Sequence, residues 1–182
     1  MSAPVFTIGH STRAWPELLA LLQEAGVERL VDVRRFPQSR RHPQFGREAL
    51  AAALAQAGLG YLHEEDLGGH RPPRPDSDNG GWRNDALRGY ADHMDGAPFR
   101  AALERLLAEP RRTAVMCAEA DPRRCHRQLL ADALLSRGRA VTHLLGPGLR
   151  EPHVLHPLAR VDAQGRLRYP PPAPRQRGLF EP

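Results

Sequence analysis

The chain of 182 residues carries 26 basic and 21 acidic side chains, which gives a formal net charge of +5. This length fits one compact domain that buries about 70% of its unfolded surface, so folding does not require disulfides or structural metals. Hydrophobic residues make up 41% of the chain, which excludes a disordered protein. The sequence has no run of about 18 apolar residues that would predict a membrane span, so no membrane partner is expected.

Every basic residue is arginine, and the chain contains no lysine. Schiff-base chemistry and the lysine of a phosphate-binding P-loop are therefore excluded. The positive balance favours polyanionic partners such as nucleic acid. The amino end has neither a basic leader nor a long apolar stretch, so we expect a cytoplasmic protein. In that compartment Cys117 and Cys125 are free thiols or ligands.

Apolar runs and helical patterns alternate along the chain. The predicted strands cover residues 5–8, 27–33, 60–63, 112–117 and 140–145. The predicted helices cover 16–26, 47–57, 90–94, 99–107 and 121–138. Strands joined by helices need right-handed crossovers, so the expected fold is α/β, with a mostly parallel sheet and helices on both faces.

The composition changes towards the carboxyl end. Residues 1–146 are predicted to form the α/β domain, and residues 147–169 a C-terminal extension with a small hairpin. Residues 170–182 form a proline-rich tail, which is expected to be extended. Between the third strand and the next helix, residues 68–85 are rich in Gly, Pro, Asp and Asn and predict a long surface loop.

Polar segments follow four of the predicted strands. They begin at His10, Asp32, His63 and Cys117. Because ligands bind beyond the carboxyl ends of the strands in such sheets, we expect these segments to meet in one functional cleft.

The segment Cys117–Arg127 has the highest density of reactive groups, and we place Cys125 in the first turn of the following helix. The candidate catalytic residues are Cys117, Glu119, Cys125, His126 and His10. Three interpretations remain open: buried, inert cysteines; a reactive thiolate with His10 or His126 as its base; and a metal site. The seven-residue gap between the cysteines does not match a zinc knuckle, so no metal ligand is assigned.

Arginines and hydroxyls near the strand ends could hold a phosphate. The candidate phosphate contacts are Ser11, Arg34, Arg35, Ser39, Arg40 and Arg127. Alternation along the strand puts Asp32 and Arg34 on one side, where the carboxylate can orient the guanidinium. An ordinary structural ion pair explains this pair equally well.

Several motifs resemble the domain-of-unknown-function 488 family over residues 4 to 146. They are Thr7–Ser11, Asp32–Ser39, Leu67–Gly69, Cys117–Arg127 and Ala131-Asp132. The resemblance implies no established reaction and names no cofactor, so it identifies the pocket better than the chemistry. The chain also has a weaker likeness to rhodanese-type domains. Its cysteine loop lacks the glycine and serine pattern that surrounds the active cysteine in those domains.

The last residues carry a separate motif. Gln176, Leu179 and Phe180 resemble the peptide by which bacterial replication and repair proteins bind the sliding clamp. In that interpretation Leu179 and Phe180 enter an apolar groove, and Gln176 sets the register. A terminus whose Leu179 and Phe180 fold back onto the core is the alternative.

Three functional hypotheses follow. The first is a nucleic-acid-associated protein, a DNA-repair or processing factor whose cleft binds DNA or a nucleotide. The second is a small-molecule enzyme with a thiolate or thiol-metal centre that acts on an anionic substrate. The third is a noncatalytic binding module with the same pocket.

Overall fold

The computed structural model describes residues 3–173, which form an α/β fold around one sheet. The strands are β1 (Val5–Gly9), β2 (Arg29–Asp32), β3 (Gly60–His63), β4 (Thr113–Cys117), β5 (Val141–Gly146) and β6 (Leu149–Pro152). Their order in the sheet is β3-β2-β4-β1-β5-β6, and only β6 runs antiparallel to its neighbour. The mostly parallel sheet predicted from the sequence is confirmed.

Five α-helices connect and cover these strands. They are α1 (Trp15–Glu24), α2 (Arg47–Gln56), α3 (Asp85–His93), α4 (Ala97–Ala108) and α5 (Arg127–Ser136). Helices α1 and α2 pack on one face of the sheet against Phe6 and Ile8. Helices α3, α4 and α5 pack on the other face against Val5 and Val115. Alternate strand residues thus enter opposite cores, and helices cover both faces as predicted.

The connections turn in opposite directions at the centre of the sheet. From β1 the chain runs through α1 to β2, whereas from β4 it runs through α5 to β5, on the far side of β1. The carboxyl ends of the neighbouring strands β1 and β4 therefore lie at a topological switch point, where open α/β sheets leave a crevice.

The C-terminal part is attached to this core. The predicted hairpin is present as β7 (Arg160–Val161) and β8 (Leu167–Arg168). Tyr169 is fully buried in the core on the α3–α5 side. Strand β6, which the sequence patterns do not predict, extends the main sheet from β5.

Helix boundaries differ from prediction by more than two residues in two places. Helix α3 is longer than residues 90–94, because Asn84 caps it by accepting hydrogen bonds from the backbone N–H groups of Ala86 and Leu87. The predicted helix from Asp121-Pro122 is split into a short 3₁₀ turn over Pro122–Arg124 and helix α5. Over residues 3–173, none of the helices combines the length and apolar character that a bilayer crossing requires.

Candidate functional site

A cleft of about 450 Å³ opens beyond the carboxyl ends of β1, β2 and β4. Four separate parts of the chain line it: the segments after β1, β2 and β4, and residues between 69 and 87. The candidate residues on its walls are His10, Arg34, Arg35, Ser39, Cys117, Glu119, Cys125 and His126. Side chains that are far apart in the sequence thus share one hollow, as the strand-end rule leads us to expect.

The two cysteine thiols meet in the cleft. Cys117 is the last residue of β4, and its Sγ lies 2.8 Å from Sγ of Cys125. Both cysteines are free and buried. The loop between them folds back against β1, where an added Cβ at Gly9 would lie 1.9 Å from the Glu119 carbonyl oxygen. Only glycine permits this close approach.

The backbone at Cys125 corrects the sequence-based placement. Cys125 does not lie in a helical turn; its backbone is extended, with φ −129° and ψ 152°, between the 3₁₀ turn and α5. The preceding turn is a separate unit because Asp121 caps it through the N–H of Arg123. The pKa of this thiol is therefore lowered by its neighbours and not by a position within a first helical turn.

His126 lies beside the Cys125 thiol. Its Nδ1 is 3.5 Å from Cys125 Sγ, and its Nε2 is 3.2 Å from the Val33 carbonyl oxygen. Because a carbonyl only accepts, Nε2 carries a proton and donates, which leaves Nδ1 to exchange a proton with the thiol. Gly69 packs against this ring, and an added Cβ there would lie 2.9 Å from Nδ1.

The two thiols differ in acidity. The hydrogen bond from Cys117 is the main cause that lowers the pKa of Cys125 well below its usual value, and His126 and Arg127 add to this against the effect of burial. Burial is the main cause that raises the pKa of Cys117 well above its usual value. Of the two thiols, Cys125 is therefore the more acidic and Cys117 the one that donates the hydrogen bond.

Arg127 does not have the position that a phosphate contact requires. Its side chain is 1% exposed, and it donates to the carbonyl oxygens of Glu119 and Ala120 and to the Thr7 hydroxyl. These acceptors are the backbone of the cysteine loop and a side chain of β1. Arg127 thus lies beneath the cleft, where it supports the loop, and does not line the wall.

A chain of buried hydrogen bonds holds Arg127 from the other side. His153 Nε2 donates to the Asp132 carboxylate over 2.8 Å, so its Nδ1 accepts from His143 Nε2 over 3.0 Å. His143 Nδ1 then accepts from the Thr7 hydroxyl over 2.7 Å, and Thr7 accepts from Arg127 over 3.3 Å. The Asp132 carboxylate only accepts, and a neutral His153 passes that direction on to His143 and Thr7. Of its members, sequence reasoning missed Thr7, His143 and His153; the visible signal was a histidine inside the apolar strand β5.

Asp32 holds Arg34 as the alternation along the strand predicts. Arg34 Nε and Nη2 donate to the two Asp32 oxygens over 2.8 and 2.6 Å, in a bidentate pair. Arg34 Nη2 also donates to the Phe45 carbonyl oxygen, and Tyr61 donates its hydroxyl to Asp32. The buried carboxylate is thus fully partnered, and the Nη1 end of Arg34 faces His10.

His10 is a neutral side chain in this arrangement. Its Nδ1 donates to the Ser11 carbonyl oxygen over 3.0 Å, and its Nε2 accepts from Arg34 Nη1 over 3.3 Å. Burial, assisted by the Arg34 charge, lowers its pKa from 6.5 to about 4. His126 is therefore the better placed of the two candidate bases for Cys125.

The remaining polar candidates flank the thiols. Glu119 lines the cleft and accepts a hydrogen bond from the Asp121 N–H over 3.2 Å. Ser11, Ser39 and Arg40 border a shallow neighbouring hollow that shares His10 and Ser39 with the cleft. Ser11 has a φ of 45°, a left-handed conformation that few residues other than glycine adopt.

An aromatic side chain and two arginines form the rim. Phe36 is 65% exposed, and the Arg35 guanidinium carbon lies 5.3 Å from the centre of its ring. Arg124, on the segment after β4, also lines the cleft and is exposed. Neither Arg35 nor Arg124 forms an ion pair with any residue between 3 and 173. Phe36 was not among the predicted site residues, although it lies within the Asp32–Ser39 motif.

Two further findings concern the predicted site. Within residues 3–173, no group of three or more His, Cys, Asp or Glu side chains is arranged to hold a metal ion. The clamp-like residues Gln176, Leu179 and Phe180 lie outside the described residues.

Comparison with known proteins gives a family match. No curated protein and no solved structure matches the chain significantly. A family model described as a domain of unknown function, DUF488, matches residues 14–134, which is about two thirds of the chain. The matched part includes Asp32 and the whole Cys117–Arg127 segment, but not Thr7–Ser11. The chain therefore belongs to the domain-of-unknown-function 488 family.

Proposed function

We propose that this protein is an enzyme that uses the Cys125 thiolate as a nucleophile on an anionic substrate. The observation that carries the proposal is the position of Cys125 Sγ, 2.8 Å from the Cys117 thiol and 3.5 Å from His126 Nδ1, in a cleft lined by arginines. A thiolate beside a histidine is the usual form of an activated cysteine.

The charge of the cleft supports an anionic substrate. Arg34, Arg35 and Arg124 line it, and Glu119 is the acidic residue on the same walls. Arg35 and Arg124 keep their charges unpaired among the described residues, so an incoming carboxylate or phosphate would give them a partner. A volume of about 450 Å³ is that of a small-molecule site.

Competitive alkylation tests both parts of the proposal. Neutral iodoacetamide measures the thiolate, and we expect it to label Cys125 at least about tenfold faster in the folded chain than in the chain unfolded in urea at the same pH. Anionic iodoacetate measures the charge of the cleft. Its rate relative to iodoacetamide should be higher in the folded chain and should fall as salt is added.

Matched variants separate the cleft from the rest of the surface. Arg124→Gln should lower the iodoacetate preference, while Arg137→Gln, at an arginine paired with Glu104 outside the cleft, should not. If folding does not accelerate the labelling of Cys125, the thiolate is excluded. If folding lowers the rate of Cys125 labelling by iodoacetate relative to that by iodoacetamide, the anionic substrate is excluded.

A second candidate function is nucleic-acid binding in DNA repair or processing. The exposed Phe36 ring beside Arg35 favours it, because proteins that bind single-stranded nucleic acid combine stacking rings with cations. Arg40 and Arg41 are exposed along the adjoining hollow, next to the hydroxyls of Ser11 and Ser39. Together they would provide phosphate contacts beside a stacking position.

Fluorescence anisotropy with single-stranded, duplex and damaged DNA at several salt concentrations tests this candidate. We expect Phe36→Ala to weaken binding to single strands, and the double variant Arg40→Gln, Arg41→Gln to reduce the salt dependence. Val161→Ala, at an exposed apolar residue of the hairpin, is the control. Affinity no better than millimolar at low salt would exclude nucleic acid as the partner.

A further inference from the structure

The two thiols are close enough to become covalently joined. Cys117 Sγ and Cys125 Sγ are 2.8 Å apart, and an S–S bond is about 2.05 Å long. Closing that gap needs a shift of less than one bond length. No strand, helix or domain has to move, because one thiol ends a central strand and the other lies in the short extended segment before α5.

The surrounding residues keep the two sulfur atoms in this position. Gly9 lets the 118–121 loop lie against β1, and Arg127 binds the carbonyl oxygens of Glu119 and Ala120 from below. Arg127 is itself held by Thr7. The reacting groups are therefore preorganised, which raises the effective concentration of one thiol at the other.

The acidities of the two thiols fit a two-step reaction. Cys125 has a lowered pKa and supplies the attacking thiolate, while Cys117 has a raised pKa and stays protonated. The thiol of lower pKa supplies more of the attacking thiolate, and the other thiol then resolves the mixed disulfide by attacking the Cys125 sulfur. Loss of the Cys125 charge in the first step also removes the hydrogen bond that Cys117 donates, so the Cys117 thiol becomes free to react.

We propose that Cys117 and Cys125 form a redox-active dithiol that reduces a carboxylate-bearing, low-molecular-weight disulfide and ends each turnover as an internal disulfide. This inference rests on the proposed function, since it uses the same Cys125 nucleophile. It adds the reaction class, which is thiol–disulfide exchange, and a role for Cys117 as the resolving thiol.

The reaction balances in two steps. The Cys125 thiolate, whose proton has passed to His126, attacks one substrate sulfur; the substrate S–S bond breaks, and the first half leaves as a thiolate that takes the proton from His126. The Cys117 thiol then loses its proton, its thiolate attacks Cys125 Sγ, and the second half leaves as a thiolate that takes up that proton. One substrate disulfide gains two electrons and two protons, and the protein loses the same. An external dithiol reverses this change in the protein.

The cleft favours a disulfide over a hydroperoxide as the oxidant. Its volume of about 450 Å³ exceeds what a small peroxide needs, and a peroxide offers no charge to Arg35 and Arg124. A disulfide with carboxylate groups on both sides of its S–S bond would place anions on the rim while its sulfur atoms reach the thiols. Arg35 and Arg124 come from two different segments of the wall, after β2 and after β4.

Intact-mass spectrometry of the reduced full-length chain tests the proposal with glutathione disulfide as the probe. The wild-type chain should lose the mass of two hydrogen atoms as the internal disulfide forms. Cys117→Ser should instead accumulate one glutathionyl group on Cys125, and Cys125→Ser should remain unmodified over the same time. Dithiothreitol should restore the original mass in each case.

Charge and folding supply the controls. For each disulfide, the rate with the folded chain is divided by the rate with the urea-unfolded chain. At low salt we expect this ratio to be at least about tenfold higher for glutathione disulfide than for the cationic disulfide cystamine. High salt should narrow this difference. Arg124→Gln should lower the rate with glutathione disulfide and not with cystamine, whereas Arg137→Gln should change neither rate.

The outcomes separate this inference from the proposed function. If Cys125 is alkylated rapidly but the wild-type chain keeps its mixed disulfide with glutathione, the dithiol reaction is overturned. The proposal that Cys125 is a nucleophile then still holds. An internal disulfide that forms only with hydrogen peroxide would overturn the substrate class. Slow alkylation of Cys125 would remove both proposals. The wild-type result needs no variant, and Cys117→Ala provides a second substitution if Cys117→Ser does not fold.

Discussion

The hydroxyl of Thr7 donates to Nδ1 of His143 over 2.7 Å, and both side chains are buried in adjacent central strands. Thr7 also accepts from Arg127, so it joins the guanidinium below the cysteine loop to the histidines behind it. This series of hydrogen bonds ends at the Asp132 carboxylate, which accepts one hydrogen bond from His153 and another from the Tyr169 hydroxyl. The same carboxylate therefore connects the cysteine loop to the C-terminal segment.

Replacing Thr7 by Val tests this connection, because valine has the same shape and lacks the hydroxyl. We expect the free energy of unfolding to fall by about 1–2 kcal/mol, since His143 and Arg127 each lose a buried partner. A less firmly held Arg127 should also raise the pKa of Cys125. Urea unfolding and the pH dependence of iodoacetamide labelling measure these effects.

Thr142→Val is the matched control for that substitution. Thr142 is half-buried on β5, and its side chain forms no hydrogen bond within the described part of the chain. Loss of the Thr142 hydroxyl should change neither the free energy of unfolding nor the pKa of Cys125. Equal effects of the two substitutions would show that only strand packing is at work.

Gly69→Ala should displace His126 without removing any functional group. The new methyl group would lie 2.9 Å from His126 Nδ1, which is closer than a real side chain tolerates, so the imidazole must leave its present position beside Cys125. Alkylation of Cys125 at neutral pH should slow severalfold, because the thiolate loses a stabilising neighbour. Peptide mapping after iodoacetamide treatment measures the rate.

Gly80→Ala provides the comparison, because its added methyl group would make only an ordinary contact, 3.6 Å from Pro171. We expect wild-type labelling in this variant. Unchanged labelling in Gly69→Ala as well would mean that His126 does not activate the thiol.

Stability should decrease as the pH falls below about 6.5, because two buried histidines resist protonation. Burial is the main cause that lowers the pKa of both His10 and His143 from 6.5 to about 4. The unfolded chain binds these protons below pH 6.5 and the folded chain only near pH 4, so their stabilising effect is complete above 6.5 and is lost on the way down. Between about pH 7.5 and about pH 5, the free energy of unfolding should fall by about 4 kcal/mol, about 2 kcal/mol for each histidine.

Urea titrations at the two pH values measure this fall, and His143→Gln should reduce it by removing one of the two groups. A decrease of the same size in the variant would exclude His143 as a contributor. Stability that rises on acidification would contradict the burial of both rings as neutral side chains.

The clamp-like tail is tested apart from the cleft. We expect the double variant Leu179→Ala, Phe180→Ala to abolish capture of the full chain by immobilised bacterial sliding clamp, because these two side chains supply the apolar contacts of the motif. Arg177→Ala changes a position at which the motif has no preference, so it should bind like the wild type. Absence of wild-type capture would remove the clamp as a partner.

The arrangement of strands and helices, and much of the cleft, could be read from the sequence alone. Alternation of apolar residues separates the two faces of β1 and β4, and parallel strands must bring their carboxyl ends to one edge. Gly9, Asp32 and Cys117 each lie at or beside such an end. Their meeting follows from short-range patterns and from the handedness of crossovers, and both are local properties of the chain.

Only the tertiary structure decided which side chains touch. The local pattern did not reveal the extended backbone at Cys125. The buried Arg127 contacts Thr7 of β1, which is 120 positions away in the sequence. The Thr7–His143 contact spans 136 positions. Local propensity and charge patterns carry no information on such partners, because the partner is chosen by packing after the sheet has formed. The sequence could therefore place reactive groups at one edge, but not reveal that two thiols lie in contact there.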